Sequence, residues 1–315
     1  MLAVIVAMWH TSWALLNGAS NYYYRFGPVA AVNVFFVISG YSMYHSYTER
    51  PSGFLRRRLW RVTPVYWLGC VGSLLPYLIY GRDIEAWTYG FRREYHLQNV
   101  LPCLPKFLYT YPALFPSTGE FNTSLWSLGV EMAFYAAVPL LARTNDKWLF
   151  AAIIPSVILR TFTAPGFNWI SYPQALGLFL LGWMLPRYAG KPWFCALLVV
   201  SLPLTSRHDN DQTGWITALL GALLIVNSAG LILAPKWQRV ALYLGDLSFP
   251  LYIVHVPVAW IFAFSPLPLR LIDPEIVLLV SIAVSALILH AVDRPLRRFG
   301  RDEMAPKGSH QPVTA

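Results

Sequence analysis

An all-α bundle of helices lying across a membrane is the fold that the amino-acid sequence predicts, and three observations predict it. Of 315 residues, 56% are hydrophobic and only 12% are charged, with a mean hydropathy of +0.47. A soluble domain carries about 25% charged residues, so this chain could cover little of a water-facing surface. Apolar runs of roughly 20 residues recur along it, the length a helix needs to cross a bilayer core. Between the runs, Lys and Arg gather in every second connection.

Ten spans are expected, at roughly 1–16, 29–47, 62–80, 125–142, 148–163, 171–186, 193–205, 214–233, 242–264 and 274–292. Their backbone has no water to bond, which makes them helical. The first, 1–16, lacks a basic leading region and a small-residue cleavage site, so it reads as a span and not as a leader peptide. The second holds "VNVFFVISGYSMY", in which the small pair Ser39-Gly40 invites close approach by another helix. The third is entered through "FLRRRLWRVTPVYW", and the fourth contains Glu131. The short link "RTNDK" joins the fourth span to the fifth, and "PRYAGKP" joins the sixth to the seventh. The ninth holds "LSFPLYIVHVPVAW", and the tenth runs into "AVDRPLRRFG".

With the N-terminus inside, 16 of the 24 Lys and Arg residues fall on the inner side, in the short loops where the positive-inside bias is informative. Both termini are therefore expected in the cytoplasm. The net charge of +9 is a topology signal, and nucleic acid is not expected as a partner. Residues 1–299 read as one membrane domain and 300–315 as a polar cytoplasmic tail without ordered structure. Cys70 and Cys195 lie in apolar runs and Cys103 stands alone. That is neither a disulfide framework nor a metal-ligand spacing, and no metal site is expected. The connection 81–124 breaks the pattern of short loops. It carries four basic and four acidic residues among many aromatics, and reads either as an interfacial aromatic belt or as a platform for a sugar.

Ionisable groups inside spans mark function by default, because burying them is costly unless they are paired. His10 lies about ten residues into the first span, poised to take or give a proton. Glu131 shares a helix face with Ser127, with Ser124 one turn earlier. His255 lies between Pro250 and Pro257, which free backbone groups around it. Each also has a structural reading: a histidine bonded between helices, or a carboxylate paired to an arginine. Arg58 and Arg61 stand three apart on one helix face. Two guanidiniums so placed hold phosphates, although positive-inside charge alone would also account for them.

Four segments together resemble one family, the acyltransferase-3 family of multi-pass bacterial membrane O-acyltransferases. They are "AVIVAMWH", "VNVFFVISGYSM", "FLRRRLWRVTPVYW" and "LWSLGVEMAFYAAVP", followed by the endings "LSFPLYIVHVP" and "AVDRPLRRFG". The resemblance implies a ten-helix core at the cell inner membrane. That core would take an acyl group, usually acetyl, from cytoplasmic acyl-CoA as donor substrate, with no permanently bound cofactor. The acceptor would be a hydroxyl of a cell-surface or exopolysaccharide sugar or its lipid-linked precursor, and polysaccharide assembly proteins are possible partners. His10 matches the family's catalytic histidine, and Arg58 and Arg61 match the pair associated with CoA. Glu131 is expected to assist catalysis by orienting His10 or binding the acceptor, in direct contact with His10. Trp126, Ser127 and His255 are expected on the substrate. Two departures stand out. A basic residue eleven positions before His10 would fall two residues upstream of Met1, which implies a misassigned start or the loss of that residue. Asp293 also stands where the terminal motif more often has Glu. A transporter or flippase for a lipid-linked sugar, and an inactive scaffold of polysaccharide assembly, are the competing expectations.

Overall fold

The computed structural model describes residues 2–16, 28–80, 84–88, 91–95, 122, 124–162, 171–188, 191, 234–265 and 273–302. Over these the chain forms α1 (Leu2–Leu16), α2 (Pro28–Glu49), α3 (Phe54–Gly72), α4 (Leu75–Tyr80), α5 (Leu125–Leu141), α6 (Asp146–Phe162), α7 (Ser171–Tyr188), α8 (Pro235–Ala263) and α9 (Pro274–Ile288). A short π-helical segment, Leu289–Asp293, joins α9 to α10 (Arg294–Asp302). Eight of the ten expected spans coincide with these helices. The stretches 193–205 and 214–233, with Cys195 and Cys103, lie outside the described residues. The helix α10 runs three residues into the segment expected to be a tail.

The fold is all-α with one addition. Strands β1 (Ile84–Thr88) and β2 (Phe91–Tyr95) form an antiparallel pair within the long connection, with Ile84 opposite Tyr95 and Thr88 opposite Phe91. Trp87, Phe91 and Tyr95 supply the aromatic content that suits a pleated ribbon. The sequence reading noted these aromatics without assigning them to strands.

Prolines open three helices, at Pro28, Pro235 and Pro274, where the missing N–H would have had no partner anyway. At the start of α3, Gly53 has φ +65°, the left-handed region that glycine enters without a Cβ penalty. Prolines also lie inside helices, and one freed carbonyl has a lateral partner. Pro257 removes the N–H that Ile253 O would accept, and Asn122 Nδ2 donates to that oxygen instead at 3.3 Å. In α7, Ser156 inserts from α6: its hydroxyl donates to Pro173 O at 2.5 Å and accepts from Gly177 N–H at 2.8 Å.

Helices α2 and α7 pack through reciprocal glycines. A Cβ on Gly40 would stand 2.8 Å from Trp183 N, and one on Gly182 would stand 2.8 Å from the carbonyl carbon of Val37. The backbones therefore touch, as the Ser39-Gly40 pair foretold. Phe36, Val37, Phe179 and Trp183 fill the core on either side. On the other flank α1 lies against α8, which also packs on α9.

Large apolar side chains face outward, and polar ones are enclosed within the apolar core. Leu78, Leu140, Leu279 and Leu287 are 65–69% exposed, while Ser39, Glu131, His255, Ser281 and Ser285 are buried. In water such a surface would aggregate; against lipid it is the right way round. Among the described residues, Pro235–Ala263 (29 residues) and Pro274–Arg298 (25 residues) are long and apolar enough to cross a membrane, and Leu2–Ser12 and Leu125–Leu141 are shorter apolar helices.

Candidate active site

A cavity of about 580 Å³ opens between α1, α2, α3, α5 and α8. Most of its wall is apolar, including Val6, Val32, Phe35, Leu128 and Phe249. Its polar lining comes from Ser39, Ser42, Arg58, Arg61, Ser127, Glu131, Tyr135, Ser248 and Tyr252. Of the four arginines in the basic run on α3, Arg58 and Arg61 line this space and Arg56 and Arg57 do not. Arg57 folds back to donate to Arg50 O and Ser52 O, tying down the turn before the helix. Arg58 is half-buried, with its guanidinium 5.6 Å from the Phe54 ring centroid and 5.9 Å from that of Tyr135. Arg61, one turn on, is exposed and also lines the cavity.

Glu131 sits deeper, only 4% exposed. Ser39 Oγ donates to its Oε1 at 2.8 Å, and the Tyr135 hydroxyl, one turn along α5, donates to the same oxygen. The carboxylate, the phenol and the Arg58 guanidinium thus form one continuous polar edge. Both hydrogen bonds fall on Oε1, so Oε2 is engaged by neither. Pro139, four residues after Tyr135, removes a further helix N–H at the far end of this helix.

His10 and His255 meet elsewhere. His10 Nδ1 lies 3.1 Å from His255 Nε2, with ring centroids 5.0 Å apart. Each ring also has a backbone carbonyl of its own helix at 3.0 Å from Nδ1: Val6 O for His10 and Leu251 O for His255. His255 is fully buried and His10 half-buried, with Trp9 edge-on to it at 4.9 Å. The histidines do not line the cavity, but Val6 and Tyr252 do. Val6 is one turn from His10, and Tyr252 is one turn from His255, with ring centroids 6.0 Å apart. The Tyr252 hydroxyl lies 2.6 Å from Ser127 Oγ and its ring stacks on Phe35 at 6.1 Å. Ser127 is one turn before Glu131, so α5 and α8 link the two polar groups without direct contact between them.

Two expectations are corrected. No His10–Glu131 hydrogen bond is formed among the described residues: His10 takes His255, while Glu131 takes Ser39 and Tyr135. Trp126 is not on the wall of this cavity, and its ring packs edge-on to Phe36 at 6.4 Å. Successive helix residues point about 100° apart, so Trp126 cannot face where Ser127 faces. Ser127 does line the cavity, and His255 stands beside His10. Tyr135 and Tyr252 were missed, although each lies within one helical turn of a residue that was chosen. At the end of the last helix, Arg297 Nε donates to the buried Asp293 at 2.7 Å and its Nη1 to Asp246 at 2.8 Å. Asp293 thereby keeps a guanidinium partner in place of the more usual Glu.

The Acyl_transf_3 family model, described as an acyltransferase domain, matches residues 1–291. The chain belongs to the acyltransferase-3 family. Members are membrane-embedded acyltransferases, and this acyltransferase-3 protein is an acyltransferase enzyme in a membrane setting. It is 27% identical over 319 residues to the exopolysaccharide production protein ExoZ of Rhizobium meliloti (strain 1021), covering 89% of this chain and 92% of that protein. It is 24% identical over 268 residues to ORF330 of Acidianus two-tailed virus, provisionally named an acetyltransferase, covering 78% of this chain and 72% of that one. No solved structure matches it significantly.

Proposed function

We propose that this acyltransferase-3 protein moves an acyl group, acetyl in the simplest case, from cytoplasmic acyl-CoA to a hydroxyl of an exopolysaccharide or other cell-surface sugar. It would work in the cell inner membrane with ten spans and both termini inside, alongside polysaccharide assembly proteins. The carrying observation is the cavity. It joins an arginine pair at one end to Glu131 and ends one helical turn from His10. From Leu2 to Val6, both in its wall, is about 6 Å of helix axis, and His10 lies one turn further along the same helix. Resemblance to an exopolysaccharide production protein supports the sugar acceptor.

In this reading Arg58 and Arg61 hold the donor's phosphates through charge-assisted bonds, and the apolar wall sheathes its arm. His10 Nε2 takes the proton of the acceptor hydroxyl as its oxygen bonds to the thioester carbon. The carbon–sulfur bond then breaks, and the proton passes from His10 to the leaving thiolate. Acceptor and acyl-CoA become acyl ester and free CoA, with nothing left over. Glu131, held by Ser39 and Tyr135, serves the acceptor or the donor's arm and not His10. Purified protein in lipid nanodiscs, given acetyl-CoA and a glucan oligosaccharide, should release thiol and yield O-acetylated sugar. A folded protein that releases no thiol from acetyl-CoA or longer acyl-CoA donors would reject the donor assignment.

A further inference from the structure

We propose that His255 is the positioning residue for His10, fixing the tautomer that leaves His10 Nε2 free as the base; this rests on the reading of His10 as that base. The argument is one of donors and acceptors. Val6 O faces His10 Nδ1, and Leu251 O faces His255 Nδ1, each at 3.0 Å. A carbonyl oxygen only accepts, so each Nδ1 must carry hydrogen. No carboxylate is hydrogen-bonded to either ring among the described residues, and a buried imidazolium without a counter-charge is costly. Both rings are therefore neutral, with one hydrogen each, and each Nε2 is a lone pair. His255 Nε2 then accepts a share of the one His10 Nδ1–H, which lies between it at 3.1 Å and Val6 O at 3.0 Å, and cannot donate. The opposite arrangement would set two ring lone pairs against two carbonyls.

His10 Nε2 is thus the one ring nitrogen of the pair that neither donates nor accepts within it. When it takes the acceptor's proton, His10 becomes an imidazolium. Its Nδ1–H bond to His255 then strengthens, because the donor has become charged. The assistance appears only as the reaction proceeds, which is when it lowers a barrier. A carboxylate in this place would give a larger gain but would need its own partners in an apolar setting. A neutral histidine needs none beyond the backbone carbonyls of its own helix, at Leu251 and Tyr252.

The surrounding bonds show that this stretch of α8 is held for position. Tyr252 is tied to Ser127 at 2.6 Å on α5, and Ile253 O is taken by Asn122 at 3.3 Å. His255 itself has no exposed surface. These contacts pin three of four consecutive residues to different neighbours and leave the imidazole little freedom to turn.

The test uses the full chain in lipid nanodiscs and thiol release from acetyl-CoA, with four variants beside the native protein. His255→Phe keeps the ring volume and removes the acceptor; His255→Gln returns an acceptor oxygen near the lost Nε2. The expected result for His255→Phe is a fall in kcat of roughly 10²-fold with KM for acetyl-CoA unchanged, and for His255→Gln recovery of most of that loss. The double variant His10→Ala/His255→Phe should be no slower than His10→Ala alone. A double variant slower by the product of the single effects, or Gln no better than Phe, would overturn the proposal. If His10→Ala itself keeps full turnover, it is the reading of His10 as base that falls. A 15N-histidine spectrum, assigned by loss of the His10 and His255 signals in the variants, decides the tautomers independently of turnover. Hydrogen at Nδ1 of both rings is expected, and hydrogen at His10 Nε2 in the resting protein would refute the assignment.

Discussion

At one end of the cavity Arg58 and Arg61 present fixed charge beside Tyr135 and Glu131, whereas near the other His10 and His255 meet as neutral rings backed by carbonyls. The difference follows from what each group can shed. A guanidinium keeps its charge at any relevant pH, and so it sits where solvent or a charged ligand reaches it: Arg61 is exposed and Arg58 only half-buried. An imidazole is neutral at little cost, and so His255 can be wholly enclosed. In the proposed reading, anchoring falls to the accessible end and proton transfer to the more enclosed end, with an apolar wall between.

The largest test of this division is His10→Ala. It should lower kcat for thiol release from acetyl-CoA by roughly 10²–10⁴-fold, the span of general-base effects, and leave KM within about 2-fold. Steady-state kinetics would show the opposite pattern for Arg58→Ala combined with Arg61→Ala. Loss of charge-assisted bonds worth about 1.5–3 kcal/mol should raise KM for acetyl-CoA by roughly 10–100-fold while kcat holds. If the histidine variant raised KM instead, or the arginine variant lowered kcat alone, the division of labour would be wrong.

Glu131→Gln sharpens the boundary between the two ends. Glutamine keeps an oxygen for Ser39 and Tyr135, so the melting midpoint should barely move. Turnover should fall about 10-fold, because a charged acceptor bonds roughly twice as strongly as a neutral one. Equal losses of stability and turnover would mark Glu131 as a packing residue. The smallest effect on chemistry is expected from Asn122→Leu. It strands Ile253 O and should cost about 1–3 kcal/mol of stability, read as a lower unfolding midpoint, with turnover reduced only a few-fold.

Helices were legible in the sequence because lipid demands both length and apolarity, and eight expected spans match described helices. His10, Glu131 and His255 stood out in the sequence for a related reason, each being a polar group where polarity is expensive, whereas Arg58 and Arg61 stood out by their spacing on one helix face. What the sequence hid was partnership. Helical spacing shows that Ser127 and Glu131 share a face, but not that His10 on α1 would meet His255 on α8, 245 residues away. Pairing set by how helices dock has no local signature, and the expected His10–Glu131 contact failed on that account. Trp126 failed for a simpler reason, since one step along a helix turns a side chain away. Tyr135 and Tyr252 could have been found, standing within a turn of groups already chosen. The β1–β2 ribbon was hidden because charged and aromatic residues there suit a membrane interface as well as a strand.

Pro257 gives position 122 a conditional value. Because the proline brings no hydrogen to Ile253 O, Asn122 must supply one from a segment 131 residues distant. Restore the amide with Pro257→Ala and the helix can close on itself, so that Asn122→Leu should cost less in the same melting measurement, the remaining loss being its bonds to Ser73 and Ser124. Change at position 122 then costs least in a background that has already lost its proline. Sequence drift in this pair should go in that order, with the proline surrendered first and the asparagine released afterwards.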